Sequence, residues 1–176
     1  MSLYYVRHGQ TDWNTQHLLQ GRNDIPLNEK GIEQAKITSQ HLKNIHIDKI
    51  YCSPLTRTMQ TASIINEAKN CPIIQDERII ERCFGQMEGA DIQSLQTNLW
   101  SFDKNLCSQA ETMQEFFQRV YDFLDEIKEE SKDKNYLIVA HGGVFLPFYD
   151  YFYTIDRKSD LMKLIPSNCS ITKFDI

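Results

Sequence analysis

Leu3-Tyr4-Tyr5-Val6 followed by Arg7-His8-Gly9 reads as a short apolar strand that delivers a guanidinium, an imidazole and a glycine at its carboxyl end. The same pattern recurs along the chain. Lys49 to Cys52 is a second strand candidate and leads through Ser53-Pro54 to Arg57. Pro72 to Gln75 is a third, and Tyr136 to Ala140, a fourth, runs directly into His141-Gly142-Gly143. Ser170 to Phe174 is a weaker candidate near the C-terminus. Between these runs lie stretches of helical period. Ile32, Ala35, Ser39 and Leu42 form one narrow stripe, and Phe116, Val120, Phe123 and Ile127 form a stronger one. Strands alternating with helices point to an α/β fold, a three-layer α/β/α sandwich with a mainly parallel central sheet. A single domain is expected over residues 1–176.

Local signals sharpen three helix starts. Thr112-Met113-Gln114-Glu115 fits a capping box ahead of the Phe116 stripe. Ser53-Pro54 reads as an N-cap and a first helical position, which places Arg57 in the first turn of the helix. Pro147 interrupts the apolar stretch from Val144 to Phe152, so a kink or a late start is expected there.

Composition limits the partners. With 176 residues, 41% of them apolar, the chain can build a substantial core. A formal net charge of -5 gives no broad field for nucleic acid or anionic membrane, so any anion must be held by a few local Arg and His side chains. Five cysteines, Cys52, Cys71, Cys83, Cys107 and Cys169, include no Cys-x-x-Cys pair, which suits reduced thiols rather than a disulfide framework or a zinc ribbon. The opening Met1-Ser2-Leu3-Tyr4-Tyr5-Val6-Arg7 is charged by its seventh residue, too early for a signal peptide, and no later run is long enough for a membrane span. A cytoplasmic location is expected.

In an open parallel sheet the carboxyl ends of the strands form the ligand crevice. That rule gathers Arg7, His8, Arg57 and His141 from three strand ends. Guanidinium forks match the oxygens of a dianionic phosphate, and an imidazole is a competent nucleophile once its other nitrogen is held. In-line attack by neutral His8 would then be supported by two guanidinium groups and a cationic His141, with no metal or cofactor required. A leaving alkoxide needs a proton, which a buried carboxyl can supply. Glu81 and Glu88 both lie in one loop-like segment, and spacing alone does not separate them.

These blocks resemble the histidine phosphatase superfamily, also called the phosphoglycerate mutase-like family. The resemblance is carried by Val6 to Asn14, Leu19 to Gly31, Ser53 to Ala62, Glu81 to Gly89 and Val139 to Gly143. It implies that His8 is the phosphorylated nucleophile, that Arg7, Arg57 and His141 hold the phosphoryl oxygens, and that Glu81 rather than Glu88 is the general acid. It further implies that Asn14 contacts phosphate or the nucleophile's surroundings, that Gln20 and Gly21 line the substrate mouth, and that Gly142 lends a backbone amide.

The family holds both mutases and phosphatases. Mutases carry added basic residues after the acid loop; here the segment after Gly89 has no arginine pair, and Lys104 is its first cation. Gln20 before Gly21, and Phe84 with Glu88-Gly89, also resemble the phosphatase branch. The expected function is therefore hydrolysis of a small phosphorylated metabolite. The alternatives are a phosphoglycerate mutase-type phosphotransferase and, from a different class, a catalytically silent phospholigand-binding module. Trp13, Trp100 and Phe102 are candidates for an apolar cap over the pocket. His17, His41 and His46 are read as surface residues, the aromatic run from Phe145 to Tyr153 as core, and Asp122, Asp125, Glu126, Glu129 and Glu130 with Lys128 and Lys132 as a solvated helix face with internal ion pairs.

Overall fold

A computed structural model describes residues 2–95, 98–130 and 133–175. Five strands, β1 (Ser2–Arg7), β2 (Lys49–Cys52), β3 (Ile73–Gln75), β4 (Asn135–Ala140) and β5 (Ile171–Asp175), form one sheet in the order β3-β2-β4-β1-β5. Every pairing is parallel except that of β5 with β1. The helices are α1 (Asp12–Thr15), α2 (Glu29–Leu42), α3 (Thr56–Asn66), α4 (Met113–Glu130) and α5 (Phe145–Tyr153).

Strand alternation divides the core into two layers, because successive side chains leave opposite faces of a sheet. On one face Leu3, Tyr5, Tyr51, Tyr136, Ile138 and Ala140 pack with Phe116, Val120 and Phe123 of α4 and Phe145 and Phe148 of α5. On the other, Val6, Ile50, Cys52, Leu137 and Val139 pack with Leu42 of α2 and Ala62 and Ile65 of α3. The expected three-layer α/β/α arrangement is therefore observed, with β5 as the one antiparallel strand. Among the described residues no helix is long and apolar enough to cross a membrane.

Two helix starts follow the sequence signals and one does not. The Thr112 hydroxyl accepts from the Glu115 N–H at 3.1 Å while the Glu115 carboxylate accepts from the Thr112 N–H at 2.9 Å, completing the capping box of α4. Pro147 falls in the first turn of α5, where its missing N–H costs nothing, so the helix starts late instead of kinking. Helix α3, in contrast, begins at Thr56 after Leu55, so Ser53-Pro54 is not its cap. The capping acceptor comes from Asp24, whose carboxylate takes the Thr56 N–H and the Thr56 hydroxyl, each at 2.7 Å. Arg57 still lies in the first turn.

Two acids of the α4 face pair with other elements: Glu126 with Arg78 at 2.7 Å and Glu130 with Lys49 at 3.4 Å. Lys132, read as part of that face, and Gln96 and Thr97 of the segment after Gly89 lie outside the described residues. The aromatic run packs on Phe174 of β5, with Phe145 and Phe148 buried and Tyr153 exposed.

Register sets the functional edge. Arg7 of β1 lies beside Ala140 of β4, and Val139 beside Cys52 of β2. The residues that follow, His8, His141 and Ser53, therefore leave the sheet side by side. The chain after β1 leads to α2 on one face and the chain after β4 to α5 on the other, so the β1/β4 boundary is where a parallel sheet opens a crevice.

Candidate active site

The crevice is a cavity of about 150 Å³ whose lining includes Arg7, His8, Asn14, Gln20, Gly21, Arg57, Glu81 and Gly142. His141 stands directly behind it: its ring meets that of His8 edge to face, with centroids 5.3 Å apart. All nine residues singled out from sequence are thus brought to one place.

His8 is 3% exposed, and its Nδ1 lies 2.8 Å from the carbonyl oxygen of Gly9. A carbonyl can only accept, so Nδ1 carries the ring hydrogen and Nε2 holds the lone pair. Burial first, then the charges of Arg57 and Arg7, push the imidazole well below its ordinary range, which keeps that lone pair free at neutral pH. The strand end is locked in place by a hydrogen bond from His8 N to Ala140 O at 2.9 Å and by one from Gly9 N to the Thr61 hydroxyl at 3.0 Å. A methyl group on Gly9 would lie 2.5 Å from the Gly31 carbonyl, so this crossing of two backbones requires glycine.

Each arginine has a distinct setting. Arg57, 1% exposed, donates through its terminal nitrogens to the carbonyls of Asn23 (2.7 Å) and Gly21 (2.8 Å), and through Nε to His141 Nδ1 (3.3 Å). Burial lowers it to about 10, so it stays cationic at neutral pH. Arg7 donates from one terminal nitrogen to the Pro166 carbonyl at 2.7 Å. Its Nε is buried and has no hydrogen-bond partner among the described residues. A charged donor left in this state is a place for an acceptor from outside.

His141 corrects one expectation. It is fully buried, and burial together with Arg57, His8 and Arg7 drives it well below the ordinary histidine range. It is therefore neutral here, not cationic: Nδ1 accepts from Arg57, and Nε2 donates to the Ser53 hydroxyl at 2.8 Å.

Glu81 and Glu88 separate cleanly. Glu81 is buried, with Oε1 accepting from Arg82 N at 2.9 Å and Oε2 from Gly143 N at 3.1 Å. Burial raises its carboxyl, and those two amides and the nearby arginines only partly oppose the shift. Glu88 instead accepts from Arg22 N, Asn23 Nδ2 and Phe84 N and closes the loop at the rim. Beneath Glu81, Arg22 and Arg119 both donate to its carbonyl at 3.2 Å, while Arg119 pairs with Glu111 at 2.6 Å.

Asn14 closes a capping box with Thr11 at the start of α1: its side-chain oxygen accepts from Thr11 N at 3.1 Å, which turns the amide nitrogen toward other partners. Gln20 accepts from the Thr11 hydroxyl at 3.0 Å. Gly21 takes a positive φ of 51° against the Glu88 carboxylate. An added Cβ on Gly142 would lie 2.9 Å from Ile165 Cγ2 and 3.3 Å from Arg7 Cζ, so its visible role is to admit both side chains; the amide engaged in the motif is that of Gly143.

Sequence reading missed Ser53 as a partner of His141, and Asn168, whose Nδ2 donates to the His8 carbonyl at 2.9 Å. Ser53 was legible as a polar residue at a strand end; Asn168 lies 160 positions from His8 and carried no signal. Of the three cap candidates only Trp100 lines the cavity, joined by Leu18, Leu19, Phe84, Ile92, Leu99, Met162 and Ile165. Trp13 faces Gly89, and Phe102 packs on Phe117 under Arg157. His17, His41 and His46 are exposed.

Residues 3–176 match the family model described as "Histidine phosphatase superfamily (branch 1)". The "Uncharacterized phosphatase PhoE" of Bacillus subtilis (strain 168) is 39% identical over 78% of this chain and 70% of its own length. The "Probable phosphoglycerate mutase GpmB" of Escherichia coli O1:K1 / APEC is 35% identical over 99% of this chain and 85% of its own. Among solved structures, "Bacillus stearothermophilus YhfR" superposes with a TM-score of 0.87 at 28% identity, covering 99% of this chain and 91% of that one.

Proposed function

We propose that this chain, which belongs to branch 1 of the histidine phosphatase superfamily, is a phosphomonoesterase that carries the phosphoryl group on His8 and passes it to water. The observation that carries this reading is a pair of unsatisfied groups at one edge of the cavity. His8 Nε2 carries the ring lone pair because Nδ1–H is held by Gly9, and the buried Nε of Arg7 lacks an acceptor among the described residues.

The steps follow from those groups. His8 Nε2 attacks phosphorus as the ester oxygen departs, Arg7 and Arg57 stabilise the charge on the equatorial oxygens, and Glu81 in its acid form protonates the leaving oxygen. Glu81, now a carboxylate, takes a proton from water, which attacks the phosphohistidine and releases inorganic phosphate. Asn14 and Gln20 offer their amide ends at the cavity wall to the phosphoryl group or the substrate rim. The substrate is a small phosphorylated metabolite.

Hydrolysis is favoured over phosphotransfer by the rest of the wall. Beyond the phosphate cradle, and apart from Asn14 and Gln20, the lining among the described residues is apolar and supplies no further cation. The carboxylate and second phosphate of a phosphoglycerate and its bisphosphate would be left unneutralised there. Phosphate release from p-nitrophenyl phosphate in EDTA, compared between wild type and His8→Ala, tests the reading. Chelator-resistant release that vanishes in the variant supports it. Isomerised 3-phosphoglycerate in the presence of its bisphosphate, without phosphate release, would make the chain a mutase.

A further inference from the structure

We infer that Glu111 is the positioning residue for the proton donor: its carboxylate orders two arginines behind Glu81 and offsets the positive charge they bring there. The inference rests on reading Glu81 as the general acid, and adds to it the group that keeps that acid in place.

Glu81 needs such support. It lies in irregular chain between the short turns Glu77–Ile79 and Gly85–Met87, so no helix or strand ladder fixes its backbone. Its carbonyl oxygen accepts instead from Arg22 Nε and from a terminal nitrogen of Arg119, each at 3.2 Å. Arginine side chains lose much rotamer freedom when fixed, so two of them hold a carbonyl firmly only where a further group orders both.

Glu111, just ahead of α4, is that group. Its Oε1 accepts from Arg119 Nε at 2.6 Å, and its Oε2 accepts at 2.9 Å from the same terminal nitrogen that reaches the Glu81 carbonyl, which makes a two-point fork. Oε2 also accepts from Arg22 and from Cys83 N, each at 3.3 Å. The backbone continues the grip. Glu111 N donates to the Cys83 carbonyl at 3.0 Å, and the Glu111 carbonyl accepts from Arg82 Nε at 2.9 Å and from an Arg82 terminal nitrogen at 2.7 Å. Arg82 and Cys83 are thus tied to Glu111 directly, and Glu81 through the two arginines. The hold on Arg82 also steadies the N–H that aims Glu81 Oε1.

Charge matters here as well as geometry. Arg7 faces Glu81 from β1, Arg57 from α3, Arg119 from α4, and Arg22 and Arg82 from loops, and each of these favours the carboxylate. Tyr5 faces it from β1 with its phenol raised well above the ordinary range and so neutral, His8 in the same cavity is neutral, and Glu88 is committed to rim donors. A general acid must keep its proton until the leaving oxygen takes it. The Glu111 and Arg119 side chains are 11% and 17% exposed, so water screens neither strongly and the carboxylate offsets the guanidinium beside it. The clamp can therefore grip the Glu81 backbone without drawing off its proton.

Steady-state kinetics on alkyl phosphates and on p-nitrophenyl phosphate read this role, because only the alkyl leaving group needs the acid. Glu111→Gln should lower kcat/KM for alkyl esters about 10–100-fold and change that for the nitrophenyl ester little. The decline of the alkyl value with rising pH should move to lower pH, since an offsetting negative charge is lost. Glu111→Asp, which keeps the charge, should recover part of the alkyl activity and the wild-type pH limb. Added to Glu81→Gln, Glu111→Gln should cost alkyl esters nothing more. If Glu111→Gln does not fold, Arg22→Gln carries the same ester comparison, since Arg22 is half-exposed and its loss leaves the Glu111–Arg119 fork intact. A readout free of activity is amide hydrogen exchange by NMR: the Arg82 and Gly143 N–H groups, which Glu81 holds, should exchange about tenfold faster in Glu111→Gln while those of α2 do not. Equal losses on both ester types, a further loss in the Glu81→Gln background, or unchanged exchange at both amides would overturn the inference. Any of these, in a protein that still releases phosphate from esters, would leave the hydrolase reading standing. A wild type that releases no phosphate would fail the hydrolase reading, and exchange at Arg82 and Gly143 would still decide whether Glu111 positions Glu81.

Discussion

Replacing Glu81 by Gln separates two things this carboxyl does, holding the loop and giving a proton. Its two oxygens accept from Arg82 N and Gly143 N. An amide keeps one acceptor and turns an NH₂ toward the other N–H. One buried amide then loses its partner, at a cost of about 1–3 kcal/mol. In a domain of this size that lowers the melting temperature by about 2–12 °C. The catalytic loss should depend on the ester. For alkyl phosphates, whose leaving oxygen must be protonated, kcat/KM should fall about 10²–10⁴-fold. For p-nitrophenyl phosphate, whose leaving group departs as a stable anion, kcat/KM should fall far less, because this ratio reports the transfer to His8 and not the later hydrolysis. The raised carboxyl also fixes the pH behaviour of the wild type: kcat/KM for alkyl esters should decline as pH rises through the Glu81 titration and the acid form is lost. Steady-state kinetics on the two ester types, with circular dichroism melting in parallel, supply both readouts. Glu88→Gln, which changes only the rim contacts, should show no such dependence on leaving group. Equal losses on both esters in Glu81→Gln would remove Glu81 as the proton donor.

Other changes test the cradle and its supports. Arg57→Lys substitutes a point charge for a fork that holds Gly21, Asn23 and His141 at once, so kcat/KM should fall about 10²–10³-fold, and a loss below tenfold would contradict the cradle. Gly143→Ala would set a Cβ 2.4 Å from Trp100 and 2.5 Å from Glu81 Oε1; a destabilisation of about 1–3 kcal/mol in urea, with a larger activity loss for alkyl than for nitrophenyl esters, is expected. Acid should destabilise the fold through His8 and His141. Both are held neutral when folded and protonate near pH 6.5 when unfolded, so the unfolded chain binds more protons and stability falls with pH below about 6.5, by up to about 1.4 kcal/mol per pH unit for each histidine. Urea melts between about pH 7 and about pH 5 should show a flatter slope in His141→Gln, and an unchanged slope would mean that His141 is not neutral in the fold.

The strands and the convergence of the four cationic or titratable residues were legible because both depend on local pattern and sheet topology. Alternation in Leu3 to Val6 and Tyr136 to Ala140 marks which face each side chain takes, and parallel pairing then aligns Arg7 with Ala140. Contacts set by distant loops were not legible. Ser53 looked like a helix cap because serine before proline usually is one, but the cap of α3 is Asp24, 32 positions from Thr56, and the Ser53 hydroxyl faces His141 instead. His141 looked cationic because it sits in an anion site. Its neutrality depends on burial and on the direction of Arg57 Nε, which no spacing encodes. The choice between Glu81 and Glu88 likewise waited for the fold, since both occupy one irregular segment and only their amide partners distinguish them.

The central claim is a phosphoryl group on His8, and rapid-quench mass spectrometry tests it most directly. Wild type mixed with p-nitrophenyl phosphate and quenched in alkali within the first turnover should yield a peptide containing His8 with one added phosphoryl group, lost on mild acid treatment and absent in His8→Ala. Steady phosphate release with an unmodified His8 peptide, or with the label on another residue, would contradict it.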